Sequence, residues 1–182
     1  VYQYLADHYP LLSASEYFPQ AAPGSVVQVH GMPVRNEDVT QLSFDSGRFE
    51  SVLCFDVLEH VPDYRAALRE FFRVLTGDGQ LLISVPFSFR QETLVRAELD
   101  SDGTIRHHVE PCYHGDPLST QGILSFYDFG MELLDEMAAA GFRETFLVCY
   151  CSREWGYLHQ NVAFVGRGSD PCYEATLVKI GV

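Results

Sequence analysis

Val52, Leu53, Cys54 and Phe55 form four consecutive apolar positions, and the chain then turns acidic from Asp56 to Asp63. Uninterrupted apolar character fits a strand buried on both faces of a parallel sheet, so Phe49 to Phe55 is predicted as a strand. Pro62 and Asp63 then open a helix, with Pro near the first turn and Asp as N-cap. Ala67, Leu68, Phe71, Phe72, Val74 and Leu75 make its apolar stripe, while Arg65, Arg69, Glu70 and Arg73 face outward. Thr76-Gly77-Asp78-Gly79 is expected to stop that helix, and Leu81 to Val85 reads as a second buried strand. Strand, helix and strand at this spacing predict one right-handed parallel crossover. Its acidic loop follows the carboxyl end of a strand, where open α/β sheets bind ligands.

The flanking pattern is weaker. Val1 to Tyr9 has helix-like apolar spacing and stops at Pro10. Leu11 to Ser15 reads as a short strand running into Glu16, and Val26 to Val29 as another. Arg35 to Asp38 reads as a polar loop, and Val39 to Phe44 leads into a turn at Asp45-Ser46-Gly47. From Ser88 to Tyr127 periodicity is lost for forty residues, too many for a plain connection, so residues 88–127 are expected to be an insertion or a substrate cover. Met131, Leu134, Met137, Ala138 and Ala140 then outline a helix closed by Gly141. Phe142 to Tyr150 and Asn161 to Val165 read as a long hairpin with Trp155 to Gln160 between its strands. The expectation is a single domain over residues 1–182.

Composition narrows the function classes. A net charge of −13 with no concentration of Lys and Arg argues against a nucleic-acid partner. The five cysteines contain no C-x-x-C pair, so neither a disulfide framework nor a cysteine zinc site is indicated. Cys54 and Cys149 lie in apolar runs and are expected to be buried, in keeping with a reducing cytoplasm. No apolar run is long enough to span a bilayer, and no basic-then-apolar leader opens the sequence. A cytoplasmic protein without a membrane partner is the expectation.

One polar segment gathers titratable groups: Arg106-His107-His108-Val109-Glu110-Pro111-Cys112-Tyr113-His114-Gly115-Asp116-Pro117. Its donors suit zinc or iron, but the spacing matches no standard finger and two prolines interrupt it, so no metal is expected there. It reads better as a substrate-side loop in which His107, His108 or His114 takes a proton near neutral pH. Hydrogen-bonded loop histidines without chemistry are the bland alternative. His60, beside a helix start, is either a packing histidine or a further catalytic base.

Linked motifs carry a family resemblance. Asp38 to Phe44 follows the pattern D-x-x-x-L-x-F. Phe49-Glu50-Ser51-Val52 stands where F-D-x-V is usual, and Asp56 to Asp63 reads D-V-L-E-H-V-P-D. Arg73-Val74-Leu75, Gly77-Asp78-Gly79 and Val85-Pro86-Phe87 continue the match. Together they resemble the class I S-adenosylmethionine-dependent methyltransferases, in the broad group that acts on small molecules. The resemblance implies a Rossmann-like three-layer α/β sandwich with a mostly parallel sheet and a C-terminal antiparallel strand pair. It implies S-adenosyl-L-methionine as cofactor and methyl transfer to a small-molecule nucleophile. On the same ground Glu16 is expected to bind the ribose hydroxyls, Asp38 the adenine amino group, and Val39 the adenine through its backbone. Phe55, Asp56 and Val57 are expected to line the methionine end. The family's first strand and E/D-x-G-x-G-x-G loop have no counterpart, since no glycine precedes Glu16 and Gly24, Gly31 and Gly47 lack that spacing. The first strand is thus expected to be missing from this chain. A non-catalytic domain of this fold that binds a partner is the rival reading, and a homo-oligomer is compatible with either.

Overall fold

The computed structural model describes residues 2–116, 119–154 and 157–168. Helix α1 (Tyr2–His8) precedes a three-stranded sheet of β1 (Ser15–Glu16), β2 (Val26–Val29) and β3 (Met32–Asn36), in the order β1-β3-β2. The β2–β3 hairpin turns through His30 and Gly31 at φ 50° and 80°. Two left-handed residues in a two-residue loop match the twist of the flanking strands, and glycine at the second is the low-strain choice. β1 lies parallel to β3, with Ser15 opposite Arg35 and Glu16 opposite Asn36.

Two expectations fail in this region. Leu11 to Ser15 is not a strand: only Ser15–Glu16 pairs, and Leu11 is 95% exposed. Arg35 to Asp38 is not a polar loop either, because Arg35 and Asn36 belong to β3. Polarity misleads here since the buried Asn36 is fully bonded. Its Oδ1 accepts from the Phe18 N–H at 2.7 Å, and its Nδ2 donates to the Ala21 and Ala22 carbonyls at 2.8 and 3.2 Å. A buried amide with all its groups paired costs little.

The crossover forms as expected. β4 (Phe49–Phe55) leads through a one-turn 3-10 helix, Leu58–His60, into α2 (Tyr64–Val74), and β5 (Leu75–Ser84) returns parallel to β4. The Asp63 carboxylate caps α2 by accepting from the Ala66 N–H at 2.9 Å. Ala67, Leu68, Phe71 and Val74 are buried as the stripe requires. Thr76 to Gly79 is no helix stop, however. α2 ends one step earlier, with Leu75 already extended, and the Gly-containing segment is a bulged start to β5, where the register with β4 shifts between Phe49 and Ser51. A Cβ on Gly79 would lie 2.9 Å from the Leu75 side chain and 3.1 Å from the Phe49 carbonyl, so the bulge needs glycine there.

Residues 88–127 are more ordered than their pattern suggests. β6 (Leu94–Val95) pairs with β11 (Tyr127–Asp128), β7 (Ala97–Leu99) with β8 (Ile105–His107), and β9 (Tyr113–Asp116) with β10 (Ser119–Leu124), all antiparallel. Helix α3 (Glu132–Ala140) follows, ending at Gly141, and β12 (Glu144–Ser152) and β13 (Tyr157–Arg167) form the long hairpin. Of Trp155 to Gln160, expected between the two strands, Tyr157 to Gln160 belong to β13 instead, and Trp155 and Gly156 lie outside the described residues.

The main sheet has the order β12-β13-β5-β4. Cys54, Ile83, Phe164 and Leu147 form one continuous row across its four strands. That row packs with Leu68 and Phe71 of α2 and Leu133 and Met137 of α3 in a single core. Among the described strands parallel pairing is confined to β4–β5 and β1–β3, with one isolated parallel bridge between Phe87 and Phe129. The opposite face of β4 is open: Leu53 and Phe55 are 46% and 42% exposed. Burial of β4 on both faces was therefore a wrong expectation, because β4 is an edge strand among the described residues. Cys149 is likewise exposed, not buried. It lies where the β12–β13 hairpin runs past the part of β13, Phe164 to Arg167, that pairs with β5.

Arg73 ties the small sheet's exit to α2. Its guanidinium donates to the carbonyls of Phe44 and Leu42 at 2.8 and 3.0 Å and pairs with Glu70, whose carboxylate also accepts from the Leu42 N–H at 2.7 Å. Segment 38–46 is thereby clamped against the helix that follows β4.

Candidate functional site

Two groups of candidate residues lie at strand carboxyl ends. Glu16 closes β1, and Asp38 follows β3 by two residues, so the parallel β1–β3 pair brings both to the same end of one sheet. Glu16 is exposed, and its Oε1 accepts from the Tyr17 N–H at 2.7 Å. Asp38 is exposed, and its Oδ1 accepts from the Thr40 N–H at 2.8 Å and the Thr40 hydroxyl at 2.6 Å. Asp38 therefore caps the turn into Val39, whatever else it binds. As a donor set for a nucleoside the pair fits: accessible carboxylates accept from ribose hydroxyls and from an exocyclic amine.

Glu37 was missed in the sequence. It is buried, and its carboxylate accepts from Arg35 Nε at 2.6 Å, the Ser43 N–H at 2.7 Å and the Ser43 hydroxyl at 2.6 Å. Burial pushes its carboxyl up, but the two Ser43 bonds and the Arg35 guanidinium outweigh this and hold it below the usual carboxylate range. Glu37 fixes the loop that presents Asp38 and Val39.

At the end of β4, Phe55, Asp56 and Val57 are all exposed. Asp56 has φ 54°, its N–H donates to the Ser84 carbonyl at 2.9 Å, and its Oδ1 accepts from the Ser84 hydroxyl at 3.1 Å. A left-handed aspartate at a strand end is the kind of local strain that collects at ligand sites.

Of the four candidate histidines the structure brings two together. His60 and His114 stack edge to face with centroids 5.1 Å apart. His60 Nδ1 is 2.8 Å from the Leu124 carbonyl, which can only accept, so Nδ1 is the donor and Nε2 is the nitrogen turned to Glu59. Beside both rings is Glu59, 0% exposed, with neither carboxylate oxygen hydrogen-bonded. Burial pushes its carboxyl above the usual range; its own amide, His60 and His114 pull part of the way back, and Asp56 adds repulsion. His107 and His108 lie elsewhere, on and just after β8, with His108 Nε2 3.1 Å from Glu98. Glu59 had one signal in the sequence, a carboxylate between Leu58 and His60 in a stretch that must pack.

Residues 6–83 match a family model described as a methyltransferase domain. An uncharacterized protein of Methanocaldococcus jannaschii is 36% identical over 70 residues, covering 38% of this chain and 29% of that protein. The chain thus spans under a third of that curated relative. Among solved structures, PigF with SAH superposes at TM-score 0.51 with 16% identity, over 92% of this chain and 46% of that one. An S-adenosylmethionine dependent methyltransferase from Mesorhizobium loti gives a TM-score of 0.48 at 13% identity, over 82% and 73% of the two chains. No described helix is long and apolar enough to cross a membrane. The family-model match thus runs from β1 to β5, and the α/β fold over most of the chain is similar to that of PigF with SAH.

Proposed function

We propose that this chain takes part in methyl transfer from S-adenosyl-L-methionine to a small-molecule nucleophile. The observation that carries the reading is the methyltransferase-domain match over residues 6–83, which contains Glu16, Asp38, Val39, Phe55, Asp56 and Val57. When bound, the cofactor supplies an electrophilic methyl group on a sulfonium.

Glu16 would accept from the ribose hydroxyls and Asp38 from the adenine amino group, with the Val39 backbone alongside. Asp56, held by Ser84, would face the methionine end together with Phe55 and Val57. The chain's contribution to rate is then alignment of nucleophile and methyl group, the usual source of most of the acceleration in a displacement of this type. Of the candidate bases His60 and His114 converge, while His107 and His108 are not part of that cluster. The acidic net charge favours a small-molecule substrate over a nucleic acid.

Calorimetric titration of the intact protein with S-adenosylhomocysteine tests the reading. Stoichiometric binding is the expected result, weakened at least tenfold by Asp38→Ala without loss of the folded state. Absence of binding refutes the enzyme reading and leaves a non-catalytic domain of the same fold.

A further inference from the structure

Glu59 poses a physical problem that the rest of the fold does not solve. A carboxylate fully withdrawn from water, with both oxygens unpaired, is costly unless a cation compensates it. The neighbouring imidazoles do not do so by hydrogen bonding: Glu59 Oε1 is 3.8 Å from His60 Nε2 and 3.5 Å from His114 Nδ1. Both separations exceed hydrogen-bond length. The candidate donor atoms of the three residues all lie within 4.8 Å of one another.

We propose that Glu59, His60 and His114 form a binding site for one divalent transition-metal ion, with zinc as the best-fitting occupant. Zinc takes histidine nitrogen and carboxylate oxygen at about 2.0–2.2 Å, which separates tetrahedral ligand atoms by about 3.3–3.6 Å. The Glu59–His114 spacing already meets that figure, and the Glu59–His60 spacing meets it after a movement of a few tenths of an ångström. Two imidazoles and one carboxylate suit zinc, iron or a neighbouring transition ion, whereas calcium and magnesium prefer an all-oxygen shell. Three protein ligands leave one position open, as in zinc sites that bind water or a substrate oxygen. The His114 side chain is one-third exposed, so the cluster reaches solvent on that ligand's side.

The surroundings are built to hold these ligands. The Leu124 carbonyl on β10 fixes the His60 ring with Nε2 toward Glu59, the outer-shell arrangement usual for a metal-bound histidine. The Phe126 N–H donates to the Glu59 carbonyl at 2.7 Å, tying the 3-10 turn to the segment after β10. Ile123 of β10 stands opposite His114 on β9. Gly122 adopts φ 75°, and a Cβ there would fall 2.5 Å from the His114 carbonyl oxygen, so only glycine lets the two strands close around that histidine. The site joins two segments distant in sequence, Leu58–His60 and Tyr113–Asp116.

The proposal does not depend on methyl transfer and is tested without an activity assay. Untagged protein stripped with chelator is titrated with Co(II) and then Zn(II), following the visible absorption of cobalt in a low-symmetry field and the calorimetric stoichiometry. One equivalent is expected, with zinc displacing cobalt. His114→Ala should weaken binding at least 100-fold, since even outer-shell changes at such sites cost about 10–100-fold. His107→Ala, outside the cluster, should bind as the parent does. Circular dichroism of the metal-free variants confirms that they are folded; should His114→Ala not fold, His114→Gln takes its place. No stoichiometric uptake, or uptake that the His114 substitution weakens by less than tenfold, overturns the assignment.

Discussion

Replacing Glu37 by glutamine isolates the device that shapes the Asp38 loop. The carboxylate accepts three bonds, with Oε1 taking Arg35 Nε and the Ser43 hydroxyl, and Oε2 taking the Ser43 N–H. Glutamine offers one carbonyl and one amide NH2, so in either orientation a donor faces a donor. Hydrogen bonds to charged groups contribute about 1.5–3 kcal/mol each. The Arg35 pair adds little beyond its bond, because the arginine side chain is 36% exposed. A loss of about 2–4 kcal/mol is expected at neutral pH, lowering Tm by roughly 4–16 °C for a chain of this size. The pH dependence gives the sharper readout. The folded-state pKa of Glu37 is lowered, so its stabilisation is fully present above the unfolded-state value, about 4.3, and disappears as pH falls through the lower folded value. Urea unfolding of parent and Glu37→Gln should therefore differ by a constant amount from pH 6 to 8 and converge in acid. A difference below about 0.5 kcal/mol at pH 7, or one that persists unchanged in acid, would refute the assigned role.

Three further outcomes follow from the same geometry. In chelator at pH 8, Glu59→Gln should stabilise the protein by about 1–3 kcal/mol, since a buried unpaired amide is less costly than a buried unpaired charge; a thermal melt reads this, and lower stability would show that the carboxylate has partners. Leu68→Ala empties a fully buried position in α2, and chemical denaturation should register a loss of about 2–5 kcal/mol. Gly141→Ala forces φ 122° on an L-residue and places its Cβ 2.7 Å from the Phe72 ring. It should destabilise by at least about 1–3 kcal/mol, and a melting temperature equal to the parent's would contradict the close packing of α2 on the α3 terminus.

Legibility in the sequence followed the strength of the packing signal. α2 was readable to its capping residue because Asp63 and the Ala67–Leu68–Phe71–Val74 stripe say the same thing about start and face. β12 and β13 were readable because a long hairpin repeats its pattern over many pairs. The ribbons between Ser88 and Tyr127 were not, since strands of two to six residues are too short for periodicity to register. β4 shows a different limit: four apolar residues in a row announce a strand, yet nothing local says whether both its faces are covered.

The candidate sites show why residue type alone underdetermines function. Asp38 was visible through the family resemblance, but Glu37 beside it carries the buried bonds that hold the loop. Four histidines were candidates in the sequence. Only tertiary pairing separates them, because β9–β10 carries His114 back to the turn after β4 while β7–β8 leaves His107 opposite Ala97 and His108 beside Glu98. The same folding step that selects two histidines encloses the Glu59 carboxylate with no hydrogen-bond partner. An uncompensated buried charge is a liability in stability alone, and proteins tolerate such liabilities mainly where a ligand relieves them. The strand-end turn from Asp56 to His60 thus lends its exposed residues to the proposed cofactor side and its buried Glu59, with His60, to the proposed metal.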